Sequence, residues 1–121
     1  MKSCLVVDNS RVQRSFTRAI VENLMFDCRE APDARSAALA CGFSMPDVVL
    51  LGWNVTDSAG SECLKAIRAL PHGGNPKIVL CSASGEIDDI MSALEQGADE
   101  YIMRPFDQDI VRSKFEQIGV M

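Results

Sequence analysis

The chain has 121 residues, the size of one compact domain, and its 47% hydrophobic and 24% charged residues are an ordinary globular balance. Its 12 Lys+Arg against 17 Asp+Glu leave a net charge of −5, which repels phosphate backbones and anionic lipid, so direct binding to nucleic acid or to a membrane is not expected. Apolar runs such as Val48 to Leu51 fall far short of the roughly 20 residues that span a bilayer, and the opening Met1 to Asp8 meets a charge too soon for a secretory signal. A cytoplasmic location is therefore expected.

The five cysteines, Cys4, Cys28, Cys41, Cys63 and Cys81, form no Cys-x-x-Cys pair. An odd, scattered set in such a chain reads as reduced, buried thiols acting as small hydrophobes, with no metal or redox role.

In chain order, Cys4 to Val7 reads as a first strand. Val12, Phe16, Ile20 and Leu24 then recur every fourth residue, which predicts a helix with one buried stripe. A strand is predicted over Phe26 to Glu30, and a small-residue helix around Ala34, Ala37, Ala38 and Cys41. Pro46 precedes a third strand, Val48 to Leu51. Cys63, Ile67 and Leu70 mark the next helix, and Pro71 to Pro76 a loop that holds the sole histidine, His72. With no second ligand near it in sequence, His72 is read as a loop residue.

A fourth strand over Ile78 to Cys81 leads to a helix carrying Ile87, Ile90, Met91 and Leu94, also expected as a buried stripe, with Ser84 as its candidate cap. Tyr101 to Met103 is the fifth strand. Asp107 is the candidate cap of a last helix that buries Val111, Phe115 and Ile118. Short apolar strands alternating with helical stretches are the signature of βαβ units around a parallel sheet. A single domain over residues 1–121 is expected, with no output domain after Ile118.

In an open parallel sheet the functional crevice lies beyond the carboxyl ends of the strands. Asp8 and Asn9, then Gly52, Trp53 and Asn54, then Ser82 and Ala83, then Arg104 and Pro105 occupy those ends. The blocks Leu5-Val6-Val7-Asp8-Asn9-Ser10, Pro46 through Asn54, Ser82-Ala83 and Gly97 through Phe106 resemble, in order and over essentially the whole chain, the motifs of CheY-like receiver domains of response regulators. That resemblance implies a flavodoxin-like, doubly wound five-stranded sheet in the order 2-1-3-4-5 with helices on both faces. It also implies a role in bacterial two-component, phosphorelay signal transduction.

The family pattern has two acids after strand one, a phospho-accepting aspartate after strand three, a Ser/Thr after strand four and a lysine before the proline after strand five. In that set carboxylate oxygens hold Mg²⁺, the acceptor carboxylate is the nucleophile, and the lysine and hydroxyl bind phosphoryl oxygens. Asp8 and Ser82 match this pattern in type. Asn9 stands at the second acid, Gly52 at the acceptor and Arg104 at the lysine. Glycine carries no nucleophile, so phosphorylation at position 52 is excluded, and the chain reads as a pseudo-receiver with no catalytic residue and no enzyme activity. With Asp8 the residual carboxylate, Mg²⁺ binding is expected to be weak or absent, and no cofactor is expected.

Each of these residues also has a plain structural reading. Asp8 suits a cap for the first helix, Ser82 suits satisfaction of loop backbone groups, Gly52 suits a turn, and Tyr101 suits a half-buried core position. Arg104 is expected to turn into the pocket and grip Asp8 in a direct ion pair that holds it in one state without phosphate. The Arg104-Pro105 bond is a candidate cis peptide.

By the resemblance, Ser82 and Tyr101 occupy the switch positions that reshape the surface of helix 4, strand 5 and helix 5. The expected mode of action is phosphorylation-independent protein–protein interaction through that face, with a histidine kinase, a phosphotransfer protein or another signalling protein as partner. Two alternatives stay open: phosphoryl acceptance by another acid, Asp8 or Asp57, and sensing of an anion or nucleotide at Arg104 and the amides near Ser82.

Overall fold

A computed structural model describes residues 1–52, 59–83 and 85–121, with only the backbone of residue 59 included. Within them, five strands alternate with five helices: β1 (Ser3–Val7), α1 (Arg11–Asn23), β2 (Asp27–Ala31), α2 (Ala34–Phe43), β3 (Val48–Gly52), α3 (Ala59–Arg68), β4 (Lys77–Ser82), α4 (Ile87–Glu95), β5 (Glu100–Met103) and α5 (Gln108–Gln117). All the strand pairings are parallel and the order is β2-β1-β3-β4-β5, as the sequence resemblance implies. Each strand lies within a residue of its predicted limits at either end. Trp53, Asn54, Asp57 and Ser84 lie outside the described residues.

Side chains alternate across the sheet, so each central strand feeds two cores. Cys4, Val6, Val48, Leu50, Val79 and Cys81 pack beneath α1 and α5, against Ile20, Val21, Leu24, Val111 and Phe115. Leu5, Val7, Val49, Leu51, Ile78 and Leu80 face the other way, toward Ala37, Cys41, Cys63, Leu64, Ile67 and Ala93 of α2, α3 and α4. Phe26 and Phe115 meet edge to face at a centroid distance of 5.2 Å, closing the α1/α5 side.

Two of the predicted stripes are not buried as such. In the α1 row, Ile20 and the C-terminal cap Leu24 are in the core but Val12 and Phe16 are exposed. A row of every fourth residue winds about 120° around a helix between Val12 and Leu24, so only one end of it can face the sheet; Thr17 and Val21 complete the buried side instead. In α4, Ala93 is buried and Ile90 part-buried against the core, while Ile87, Met91 and Leu94 point outward. The thiol expectation holds for Cys4, Cys41, Cys63 and Cys81, whereas Cys28 is only part-buried.

Among the described residues no helix is long and apolar enough to cross a membrane. His72 is exposed in the turn between α3 and β4, where its carbonyl accepts from the Asn75 amide at 3.0 Å.

Candidate functional site

The crevice is built by the carboxyl ends of β1, β3, β4 and β5. Chain direction leaves β1 at Asp8, which is 8% exposed, and its two carboxylate oxygens have different partners. Oδ1 accepts from the Ser10 amide at 2.9 Å, an Asx-type turn that directs the chain into α1. Ser10, not Asp8, is the cap of that helix: its Oγ accepts from the Gln13 amide at 3.3 Å. The signal for it is Ser10-Arg11-Val12-Gln13, the S-x-x-Q spacing of a capping box. Arg14 reaches back to the Asp8 carbonyl at 2.7 Å and fixes the turn from the helix side.

Oδ2 of Asp8 accepts from Arg104 Nη2 at 2.5 Å across 96 residues of sequence, the ion pair expected from the sequence. Arg104 follows β5, its amide held by the Ser82 carbonyl at 2.8 Å, and precedes a cis bond to Pro105, also as expected. The guanidinium thus ties β1 to the β5–α5 connection and, through its backbone, to the end of β4. The pair is poorly exposed, at 22% for the Arg104 side chain and 8% for Asp8, so solvent screening of it is limited. Arg104 Nε is buried with no hydrogen-bond partner among the described residues.

Gly52 closes β3, paired in register with Cys81. Its backbone is not among the positive-φ residues, which for glycine are Gly97 and Gly119, so the turn reading of Gly52 is replaced by one of space. A Cβ at position 52 would stand 2.6 Å from Asp8 Oδ2, 2.9 Å from Asp8 Cγ and 3.2 Å from the Val7 carbonyl oxygen. The Asp8 carboxylate leans over the place where a side chain of residue 52 would begin. Asn9 is exposed, while Ser82 and Tyr101 are buried, so Tyr101 is a core residue beneath α4 and not half-exposed.

Burial pushes the Cys81 thiol, whose strand ends at the crevice, up to about 12, with Arg104 opposing and Asp8 reinforcing the rise. The Cys81 sulfur is therefore a neutral thiol and not a nucleophile.

Sequence reasoning did not anticipate the apolar groove beside the pair. A cavity of about 510 Å³ runs between the start of α1 and the β5–α5 connection, lined by Val12, Gln13, Phe16, Ala83, Arg104 and Phe106. Phe16 and Phe106 are neighbours at a ring-centroid distance of 6.0 Å. The exposed half of the α1 row is what forms this wall.

Among curated proteins, the chain is 30% identical over 105 residues to the phosphate regulon transcriptional regulatory protein PhoB of Pseudomonas aeruginosa, an alignment covering 87% of this chain and 46% of that one. It is 29% identical over 118 residues to the chemotaxis protein CheY of Listeria monocytogenes, covering 97% and 98%. The chain thus spans about half the length of PhoB and nearly all of CheY. Among solved structures, it superposes on the Vibrio cholerae chemotaxis protein CheY4 with a TM-score of 0.90 at 19% identity, over 98% of both chains. It also superposes on the receiver domain of NtrX from Brucella abortus with a TM-score of 0.84 at 29% identity, over 96% of this chain and 97% of that one. The model of the response regulator receiver domain matches residues 4–116, and on that match and this fold the chain belongs to the response regulator receiver family of two-component signalling.

Proposed function

We propose that this chain is a receiver that works without phosphorylation, as a protein-interaction module whose pocket is held by its own ion pair. The observation that carries this reading is the stacking of Gly52, Asp8 and Arg104. The acceptor position has no side chain, and the carboxylate of Asp8 stands 2.6 Å from where one would start while its Oδ2 is bonded to Arg104. A phosphoryl group has no nucleophile at position 52, and a side chain placed there would meet the Asp8 carboxylate.

Mg²⁺ fits this donor set poorly. The ion needs hard, anionic oxygen ligands, and the described crevice offers one carboxylate, already neutralised by a guanidinium and bonded to the Ser10 amide. Asn9 adds at most a neutral oxygen. On this reading the chain has no catalytic residue, no cofactor and no enzyme activity. Asp8 itself is a poor alternative acceptor, because a nucleophile must present a free oxygen in line with the donor and both of its oxygens are engaged. Asp57, the other alternative, lies outside the described residues.

Signalling then rests on docking. Partners of the two-component class, a histidine kinase, a phosphotransfer protein or another regulator, would read the α4–β5–α5 face, with Ser82 and Tyr101 beneath it. An equilibrium between two forms of that face shifts only when something binds them differently, and here that agent is the partner itself. Amide NMR spectra recorded with and without Mg²⁺ and beryllofluoride, a phosphoryl mimic, test this. The expected result is superimposable spectra; shifts at Asp8, Ser82 and Arg104 that saturate with the mimic would contradict it.

A second reading has its own observation: the Arg104 side chain, 22% exposed, lines the groove of about 510 Å³, which suits an anion sensor. Titration with inorganic phosphate or a nucleotide in the same experiment separates the two, since only the sensor reading expects saturable shifts around Arg104.

A further inference from the structure

We propose that the outward face of α4 is a docking surface for a basic amphipathic helix of a partner protein. This rests on the reading above of α4–β5–α5 as the interaction face, and it names the chemistry of what binds there.

Ile87, Met91 and Leu94 lie at i, i+4 and i+7, so they form one row on one side of the helix. They are 75%, 52% and 36% exposed, while the core side of the same helix is occupied by Ile90 and Ala93. The apolar surface continues onto β5, an edge strand: Met103 is 54% exposed and its sulfur lies against Gly85, just ahead of α4. A helix that spends its large apolar residues on the solvent side presents the i, i+4, i+7 pattern that receives another helix's apolar stripe.

Charge selects the partner. From Glu86 to Glu95 the acids are Glu86, Asp88, Asp89 and Glu95 and there is no Lys or Arg, so the segment carries −4. That rim repels anionic lipid and acidic helices and attracts Lys- or Arg-bearing ones. The other exposed apolar wall, at Val12 and Phe16 of α1, is flanked by Arg11, Arg14 and Arg18, of which Arg14 and Arg18 are paired with Glu22 and Glu30, so it has no acidic rim like that of α4. Apolar row and acidic rim on one short helix together specify a basic amphipathic helix.

The test uses a fluorescein-labelled synthetic peptide of about 15 residues, long enough to become helical on docking, with Leu at i, i+3, i+4, i+7 and Lys elsewhere. Companion peptides carry Glu in place of Lys, or the same residues scrambled. Anisotropy titrations are run at low salt on the unmodified chain and repeated after acetyl phosphate with Mg²⁺, with intact mass checked each time. The Lys peptide is expected to bind, the Glu and scrambled peptides not. The pair Asp88→Lys/Glu95→Lys and, separately, Met91→Ser should each weaken binding about tenfold or more.

The pair Glu22→Lys/Asp27→Lys makes the same change of charge near the opposite sheet edge and should leave binding within about twofold. Thermal melts confirm that each variant is folded, as exposed positions allow. Equal effects of the two charge pairs, no effect of Met91→Ser, binding of the Glu peptide, or concentration-dependent self-association abolished by Met91→Ser would each overturn the proposal. A phosphoryl adduct in the mass check would sink the phosphorylation-independent reading and leave the peptide result standing. An unmodified chain that ignores the Lys peptide would sink this proposal alone.

Discussion

Replacing Arg104 by Ala removes the one cation bonded to the Asp8 carboxylate among the described residues, and the cost follows from burial. Breaking a fully buried pair by deleting one partner costs about 3–5 kcal/mol, because the other charge is stranded. Asp8 is 8% exposed and its carboxylate keeps only the Ser10 amide, so most of that penalty applies; water entering the space vacated by the guanidinium relieves part of it. We expect Arg104→Ala to cost about 2 kcal/mol, or on the order of 8 °C in Tm for a domain of this size.

Asp8→Asn keeps the acceptor for Ser10 and strands instead the better solvated partner, at 22% exposure, so it should cost about half as much, roughly 1 kcal/mol. The double variant should then cost little more than Arg104→Ala alone, a coupling of about 1 kcal/mol. Urea unfolding of the four proteins measures all these quantities, and Arg104→Met, which keeps the aliphatic stem, separates lost packing from lost charge. Strictly additive single effects, or a cost for Arg104→Ala below about 0.5 kcal/mol, would refute the claim that this pair holds the pocket.

Other outcomes follow from the same geometry. Gly52→Ala should destabilise by about 1–3 kcal/mol in urea, since its Cβ would press on Asp8, and less when Asp8 is also replaced by Ala. Arg68 bonds the carbonyls of Gly73, Pro76 and Gly97 and the Asp99 carboxylate, so Arg68→Ala should cost about 2–3 kcal/mol and raise amide exchange in the α4–β5 connection. With a thiol-specific disulfide reagent at pH 8, Cys28 should react first and slowly, its thiol pushed up to about 11 by burial, while Cys63, at about 12, reacts only on unfolding.

Hydrogen bonding from Arg18, and then from Arg14, holds the Glu30 carboxyl below the usual carboxylate range. A lowered folded pKa means that this stabilisation is present above the unfolded value and lost as pH falls through the folded one. Glu30→Gln should therefore flatten the acid limb of the stability curve slightly, the group being close to solvent.

Much of this was legible in the residues. Cys4 to Val7 and Val48 to Leu51 are short, almost wholly apolar runs, and only strands covered on both faces read that way, so sheet and crevice followed from them. The Asp8–Arg104 pair was legible because topology brings every strand end to one place and an arginine before Pro105 has the reach. What periodicity cannot convey is which side of an apolar row is covered. Val12 and Phe16 belong to the same row as Ile20 and Leu24, yet helical winding carries them off the sheet. Ile87, Met91 and Leu94 outnumber Ala93 in apolar volume, yet close packing over β5 takes the small residue inward. The role of Gly52 as space for Asp8, and not as a turn, depends on how another strand's side chain leans, which no local pattern encodes.

The most direct test of a receiver without an acceptor is intact mass after prolonged incubation with acetyl phosphate and Mg²⁺. The control beside it should be Gly52→Asp combined with Arg104→Lys, since Gly52→Asp alone would have to displace the bound Asp8 carboxylate. The account predicts an unchanged mass for the chain and a phosphoryl adduct on the double variant. A phosphoryl adduct on the unaltered chain, mapped to Asp8, Asp57 or any other acid, would contradict it.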